Sequence, residues 1–194
     1  MNILRNEEPE ICEETKSYEN KDVLMRLLKK RVVVISGEVT QELAERVITQ
    51  LLLLDYESQD PITVYVCSPG GHVDSGFAIH DIMRYIHSPV TTIGVGWVAS
   101  IAVPIMMGAP KERRLSLPNT RFLIHQPSGG AGGQAADIRI EAQEILKVRE
   151  RINRLLAEET GHPVEKIAKD SDRNFWMTAQ EALEYGLIGE IITK

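Results

Sequence analysis

Three short β-branched runs, at 31–35, 62–67 and 90–95, alternate along this chain with segments whose apolar residues recur at helical spacing. Ser36-Gly37 closes the first run and Ser68-Pro69-Gly70-Gly71 the second, both chain-reversing sequences. Thr40 then stands where it can cap a helix carrying Leu43, Val47, Leu51 and Leu54 on one face. The segment 74–86, with Phe77, Ile82 and Tyr85 among its apolar positions, reads as a second helix, stopped by Pro89. Strands separated by helices of this length are returned side by side and parallel. The pattern therefore predicts an α/β domain with a largely parallel sheet.

Beyond the third run, 101–107 reads as a short apolar helix and 121–125 as a strand. The texture then changes. A glycine-rich loop at 128–133 precedes a long charged helix, 136–160, with Ile145, Val148, Ile152 and Leu155 along one stripe and Gly161 as its stop. A helix this long, charged on its other faces, reads as a projecting element whose stripe packs against another subunit. Thr178 and Glu181 form a capping box for a helix ending at Gly186, and 188–192 reads as a closing strand.

A chain of 194 residues fits one domain, placed at 22–194, and is long enough to bury a core without disulfide or metal staples. Residues 1–21 read as an acidic mobile leader or gate, with no apolar segment of the kind a signal peptide carries. Cys12 and Cys67 form no CxxC pair, so both read as reduced thiols in a cytoplasmic protein. A net charge of -6 without any basic stripe argues against nucleic acid, and no run is apolar enough to span a membrane. The histidines show no metal-ligand spacing, and no phosphate-binding glycine motif is present, so neither metal nor cofactor is expected.

Two places juxtapose reactive side chains with special backbone. Ser100 follows a strand and precedes a helix, a setting that exposes a hydroxyl beside helix N-terminal amides. Taken alone, a serine there is more often a helix cap. His125 ends an apolar strand beside the glycine-rich loop, where a neutral imidazole can serve as general base, although a structural histidine fits the same position. In the turn 68–71, two glycines let backbone N–H groups face a substrate oxygen, or simply make a β-turn.

In their order and separation, RLLKKR at 26–31, SPGG at 68–71, Ala99-Ser100, IHQP at 124–127, Gly132-Gly133-Gln134 with EILK at 144–147, and EALEYGL at 181–187 resemble the proteolytic subunit of Clp proteases. The likeness runs from about Asp22 to the C-terminus. It implies a crotonase-like (ClpP-type) fold with a strand–helix handle over about 126–160. It further implies a serine endopeptidase in which Ser100 is the nucleophile, His125 the general base, and the amides of Gly71 and Ile101 the oxyanion hole. The same resemblance implies two stacked seven-membered rings, homo-oligomeric or mixed with a paralogous subunit, held through Ile145, Val148, Asp172 and Arg173. A Clp-type AAA+ unfoldase would dock on Tyr65 and Tyr85 and feed unfolded polypeptides into the chamber.

Several positions depart from that pattern. Asn174 stands where the family has the aspartate of its triad. Its carbonyl can orient His125, but it brings no charge to a developing imidazolium. In one serine protease that exchange lowers turnover by roughly 10⁴, on the order of 5 kcal/mol of transition-state stabilisation. Ile101-Ala102 replaces the family's usual Met-Gly, Pro104 follows closely, and Thr63 replaces an aromatic of the docking groove. Asn174 and Thr63 favour an alternative, a weakly active structural or regulatory subunit that assembles with a more active paralogue. Another enzyme on the crotonase-like fold, such as an acyl-CoA hydratase, is the third reading, and Ser100 and His125 together speak against it.

Overall fold

In the computed structural model, which describes residues 22–130 and 132–193, the three sequence-evident strands lie side by side and parallel. The expected leader, 1–21, lies outside the described residues. A short helix, α1 (22–29), comes first. β1 (Val32–Ser36), β2 (Ile62–Ser68) and β3 (Val90–Ala99) then follow in that spatial order, with Val33 opposite Val64 and Ile35 opposite Val66. All four of those side chains are buried, each worth about 1.5–3 kcal/mol relative to exposure.

α2 (Gln41–Glu57) carries the chain from β1 to β2. Thr40 Oγ1 accepts from the Leu43 N–H at 3.2 Å, and the helix buries Leu43, Val47, Leu51 and Leu54, as its spacing predicts. Its far end is closed by Arg31, whose guanidinium donates to the carbonyls of Leu54 at 2.9 Å and Ser58 at 3.0 Å. The Leu54 carbonyl also accepts the Ser58 N–H at 3.2 Å and the Ser58 carbonyl the Ser88 hydroxyl at 3.1 Å, so the guanidinium reinforces a helix end that is already bonded. α3 (Val73–Tyr85) carries the chain from β2 to β3.

β3 extends further than the 90–95 run suggests, and it bends. Val66 faces Gly94 while Ser68 faces Val98, so β3 uses extra residues over a stretch that β2 covers in two steps. Gly96 takes up the excess at a φ of +65°, where a residue with Cβ is strained. The bend forks the sheet. Thr92–Gly94 pair with β4 (Arg114–Ser116), which in turn pairs with β7 (Glu190–Ile191), while Trp97–Ala99 pair with β5 (Arg121–Ile124). β5 continues to the antiparallel β6 (Phe175–Thr178). β4 and β6 are too short and too mixed in composition to announce themselves in the sequence, and the expected strand at 188–192 is only Glu190–Ile191.

α4 (Ala102–Met106) follows β3 and is buried throughout, with Pro104 early enough in it to be tolerated. α5 (Ala135–Thr160), α6 (Val164–Asp170) and α7 (Ala179–Tyr185) complete the chain, and Gly161 at φ +79° stops α5. The long helix divides in two. Ile152 and Leu156 enter the core, and Val148 and Leu155 pack against it while staying half-buried, so part of the stripe expected to face another subunit has partners within its own. The apolar residues left uncovered lie on the earlier turns: Ile138, Ile140 and Leu146. The glycine-rich segment forms no strand among its described residues, so of the expected strand–helix handle the helix is present within one subunit. An isolated strand would leave its backbone groups without partners. Arg114, fully buried on β4, ties the layers together. Its Nε donates to the Ala109 carbonyl at 2.7 Å, and its guanidinium pairs with Glu159 of α5, which also holds Arg84 of α3 at 2.8 Å.

Candidate active site

Four neighbouring strand ends converge on one place, and each delivers residues singled out from the sequence. In the parallel pair of β3 and β5, Ala99 faces Leu123, so Ser100 comes beside Ile124 and His125 follows. In the antiparallel pair of β5 and β6, Ile124 faces Phe175, which sets His125 opposite Asn174. On the other flank Ser68 faces Val98, bringing the Gly70-Gly71 turn alongside Ser100.

Ser100 leaves β3 at a φ of +57°, a left-handed conformation that costs an L-residue roughly 1–2 kcal/mol. Its N–H donates to the Leu123 carbonyl at 2.9 Å, and its carbonyl accepts from Val103 at 3.0 Å as α4 begins. The side chain is thereby held on a sharp strand-to-helix turn. Two glycines make the turn possible. A Cβ at Gly70 would lie 2.6 Å from Ser100 Cβ, and one at Gly76 of α3 would lie 2.2 Å from Ile101 Cγ1.

Gly71, at φ +146°, is fixed by a parallel bridge to Val39. The bridge runs from Val39 N–H to the Gly70 carbonyl at 2.8 Å and from His72 N–H to the Val39 carbonyl at 2.7 Å. It leaves the Gly71 N–H without a partner among the described residues, and the Ile101 N–H is free in the same way. Free, fixed amides flanking a hydroxyl are what stabilisation of an oxyanion requires.

Ser100 and His125 border a narrow apolar cleft of about 20 Å³ that also touches Pro104, Ile152 and Leu156. His125 separates this cleft from an open groove of about 680 Å³ that passes Gln126, Gly129, Ile145, Asp172 and Asn174. Ser100 and His125 are half-buried, and Asn174 is exposed. Among the described residues no hydrogen bond joins the three to one another. Such contacts are commonly long without substrate and tighten when it binds.

A frame not legible in the sequence holds the Asn174 side of the groove. The Gln126 N–H donates to the Ser171 carbonyl at 2.6 Å, and its Nε2 donates to the Asp172 carbonyl at 2.8 Å. The Ser171 hydroxyl reaches Asn153 Oδ1 of α5 at 3.2 Å. Just upstream, the Tyr185 hydroxyl donates to Asp170 Oδ2 at 2.7 Å. Burial, and then that hydrogen bond, push the Tyr185 phenol well above its ordinary range. For Asp170, burial pushes the carboxyl up, but hydrogen bonds from Lys166 and Tyr185 outweigh it and hold the group below the usual carboxylate range. Of these, Gln126 and Tyr185 carried a sequence signal, by lying within the IHQP and EALEYGL runs.

The remaining expected residues lie elsewhere. Asp172 pairs with Arg149 of α5 at 3.4 Å, and Arg173 borders the groove. Ile145 lies so close to the glycine-rich loop that a Cβ at Gly129 would come 2.9 Å from its Cδ1. Tyr85 stands exposed at the end of α3, and Tyr65 is half-buried on β2. A separate cleft of about 370 Å³ between α3 and α5 gathers Arg151, Asp81 and Phe77, but Arg151 stacks on the Phe77 ring and lies 3.9 Å from Asp81. Nothing there pairs a nucleophile with a base. Among the described residues no cluster of His, Cys, Asp and Glu has the makings of a metal site, and no helix is long and apolar enough to cross a membrane.

The sequence matches the profile of the Clp protease family over residues 14–194. It is 50% identical over 190 residues to ATP-dependent Clp protease proteolytic subunit 3 of Rhizobium meliloti (strain 1021), covering 98% of this chain and 97% of that one. To proteolytic subunit 2 of Treponema denticola it is 47% identical over 185 residues, 94% of this chain and 92% of the other. A solved structure of ClpP1 from Listeria monocytogenes, carrying one asparagine-to-aspartate mutation, matches with a TM-score of 0.83 at 50% identity, over 89% of this chain and 96% of that one. The forked α/β sheet with its long helix is thus the ClpP-type fold.

Proposed function

This chain belongs to the Clp protease family, with the fold of its proteolytic subunits, and on that premise we propose that it is a serine endopeptidase subunit working by Ser100, His125 and Asn174. The observation that carries the reading is the strand register. It places a hydroxyl on a left-handed turn, an imidazole and a side-chain amide on three consecutive strand ends, with free backbone amides beside the hydroxyl. In this reading His125 takes the Ser100 proton as Oγ attacks a peptide carbonyl. The Gly71 and Ile101 N–H groups hold the resulting oxyanion, and the imidazolium returns its proton to the departing amine. Asn174 keeps the imidazole in the required tautomer through its carbonyl oxygen.

The open groove suits an extended polypeptide. Substrates are unfolded chains, passed into a double seven-membered ring by a AAA+ unfoldase that docks near Tyr65 and Tyr85. Ile145, Asp172 and Arg173 sit where ring-to-ring contact meets the site.

A fluorophosphonate probe tests the assignment. It should label Ser100 in the assembled particle, and Ser100→Ala should abolish both labelling and peptide hydrolysis. Labelling or hydrolysis that survives Ser100→Ala in a homogeneous particle defeats it. A second reading, a weakly active structural or regulatory subunit, draws support from Asn174, which is exposed, uncharged and not bonded to His125. Peptidase activity that appears only after mixing with a paralogous subunit, and survives Ser100→Ala in this chain, would favour it.

A further inference from the structure

The Gly71 and Ile101 amides belong to different elements, and the first turn of α3 stands between them. At the end of that turn lies Gly76, so close to Ile101 that a Cβ there would come 2.2 Å from Ile101 Cγ1. In a close-packed core α3 cannot shift toward the β3–α4 turn without moving Ile101. The same turn begins at His72, the neighbour of Gly71. His72 is bonded in both directions. Its N–H donates to the Val39 carbonyl at 2.7 Å, on the bridge that fixes Gly71, and its carbonyl accepts from the Gly76 N–H at 3.1 Å.

The His72 side chain closes the turn. Its Nδ1 accepts from the Ser75 N–H at 3.4 Å and lies 2.8 Å from the Ser75 hydroxyl. Helix N-caps are ordinarily Ser, Thr, Asp or Asn, whose oxygen accepts from the amide two or three residues on. Here an imidazole nitrogen takes that part, and an Nδ1 that accepts leaves the ring proton on Nε2. Ser75 is buried, at 6% exposure, so losing this partner would strand polar groups away from water. Close contacts therefore run without a break from Gly71 through His72, Ser75 and Gly76 to Ile101.

We propose that His72 is a positioning residue for the reaction: its Nδ1, through Ser75, fixes the spacing of the Gly71 and Ile101 amides that receive the oxyanion. The inference rests on Ser100 as nucleophile and on those amides, and deepens that reading by naming what holds the pair in register. Removing an oxyanion donor outright lowers turnover by about 10²–10³-fold. Here both donors remain and only their spacing relaxes, so the loss is smaller. The usual worth of an N-cap corresponds to about fivefold, which sets the lower end of the expected fall.

The test compares His72→Ala, which removes the acceptor, with His72→Asn, which restores one at the cap, in assembled particles verified as intact by native mass spectrometry. His72→Ala should lower kcat for a small fluorogenic peptide, and the rate of fluorophosphonate labelling of Ser100, by about five- to hundredfold. KM should stay within about twofold, because the weakened interaction is made in the transition state. His72→Asn should bring both rates back to within about twofold of wild type. Ser75→Ala breaks the same contact from its other end, so adding it to His72→Ala should lower the rates by no more than about a further twofold. A His72→Ala particle that labels and hydrolyses at the wild-type rate overturns the proposal while leaving Ser100 as nucleophile. So does a loss confined to KM, a loss that His72→Asn does not recover, or losses from the two alanine changes that multiply. Absence of Ser100 labelling in the intact wild-type particle removes the nucleophile assignment itself, and the inference with it.

Discussion

Replacing Gly70 by alanine separates the geometry of the Ser100 turn from the stability of the fold. Gly70 sits at φ +95°, and its new Cβ would meet Ser100 Cβ at 2.6 Å and the Ala99 carbonyl oxygen at 2.8 Å. Carbon atoms in contact rest about 3.5–4.0 Å apart, so turn and serine must part by about 1 Å. The left-handed backbone costs roughly 1–2 kcal/mol and the overlap about 1–3 kcal/mol. The folded subunit should therefore lose about 2–5 kcal/mol and still fold. A displacement of about 1 Å at a reacting atom can lower rate about 10²-fold, and that is the fall expected in fluorophosphonate labelling. Gly37→Ala is the matched control, since its φ is +82° but nothing lies within 4 Å of the added carbon. It should lose about 1–2 kcal/mol and label at the wild-type rate. Thermal denaturation and labelling kinetics on both variants give the comparison. If Gly70→Ala labels within about twofold of wild type, contact between the turn and the serine does not position the nucleophile, and the argument from close approach is wrong.

Three further outcomes are expected. Asn174→Asp should raise peptide turnover by about five- to thirty-fold, because a carboxylate at this exposed position acts through partly screened solvent and supplies about 1–2 kcal/mol; it should also shift the acid limb of the pH profile to higher pH, and an intact particle with neither change would clear Asn174 of limiting the rate. Ile138→Glu with Leu146→Glu should leave subunit stability within about 0.5 kcal/mol yet yield single rings by native mass spectrometry, whereas Val148→Glu, whose side chain packs on the core, should lower the melting temperature; double rings in the first variant would show that the exposed turns of α5 do not join rings. His80 is buried on α3 with Nδ1 2.8 Å from Asp81 and Nε2 without a partner among the described residues, and burial holds its pKa below the ordinary 6.5. The unfolded chain therefore binds this proton more readily, so its share of stability is complete above pH 6.5 and is lost as pH falls below it; His80→Gln should flatten melting temperature over that window, and an unchanged slope would assign the dependence to other groups.

The first three strands, their crossover helices and the long helix were legible because each carries many residues of one periodicity. Thr40, Thr178 with Glu181, Gly161 and Gly186 marked helix ends through local chemistry alone. The fork in the sheet was not legible. It depends on Gly96 taking a left-handed conformation in mid-strand, which only pairing with β2 on one side and with β4 and β5 on the other reveals. Ser100 and His125 were readable as candidates, but their adjacency is a matter of register, and register is set by distant pairing. The packing of Val148 on its own core was hidden for a related reason. Periodicity shows which residues share a face of α5, and cannot show where along the helix that face leaves the core. The bonds made by Gln126, Asn153, Ser171 and Tyr185 were not legible, because polar residues that hold a segment in place do so through contacts far apart in sequence.

β6 is a four-residue edge strand, paired on one side only, to β5. Asn174 stands at its beginning, whereas Ser100, Gly71 and Ile101 belong to the interior side of the fork. The site is therefore assembled across a fault line. Peeling β6 away would part Asn174 from His125 while leaving the nucleophile and the free amides in place. Short edge strands open at a fraction of the energy needed to unfold a domain. On the proposed assignment, any contact that stiffens or loosens this one strip, at Gln126 or along residues 171–174, would act as a clutch between Ser100, which is held independently of it, and the Asn174 side of the site.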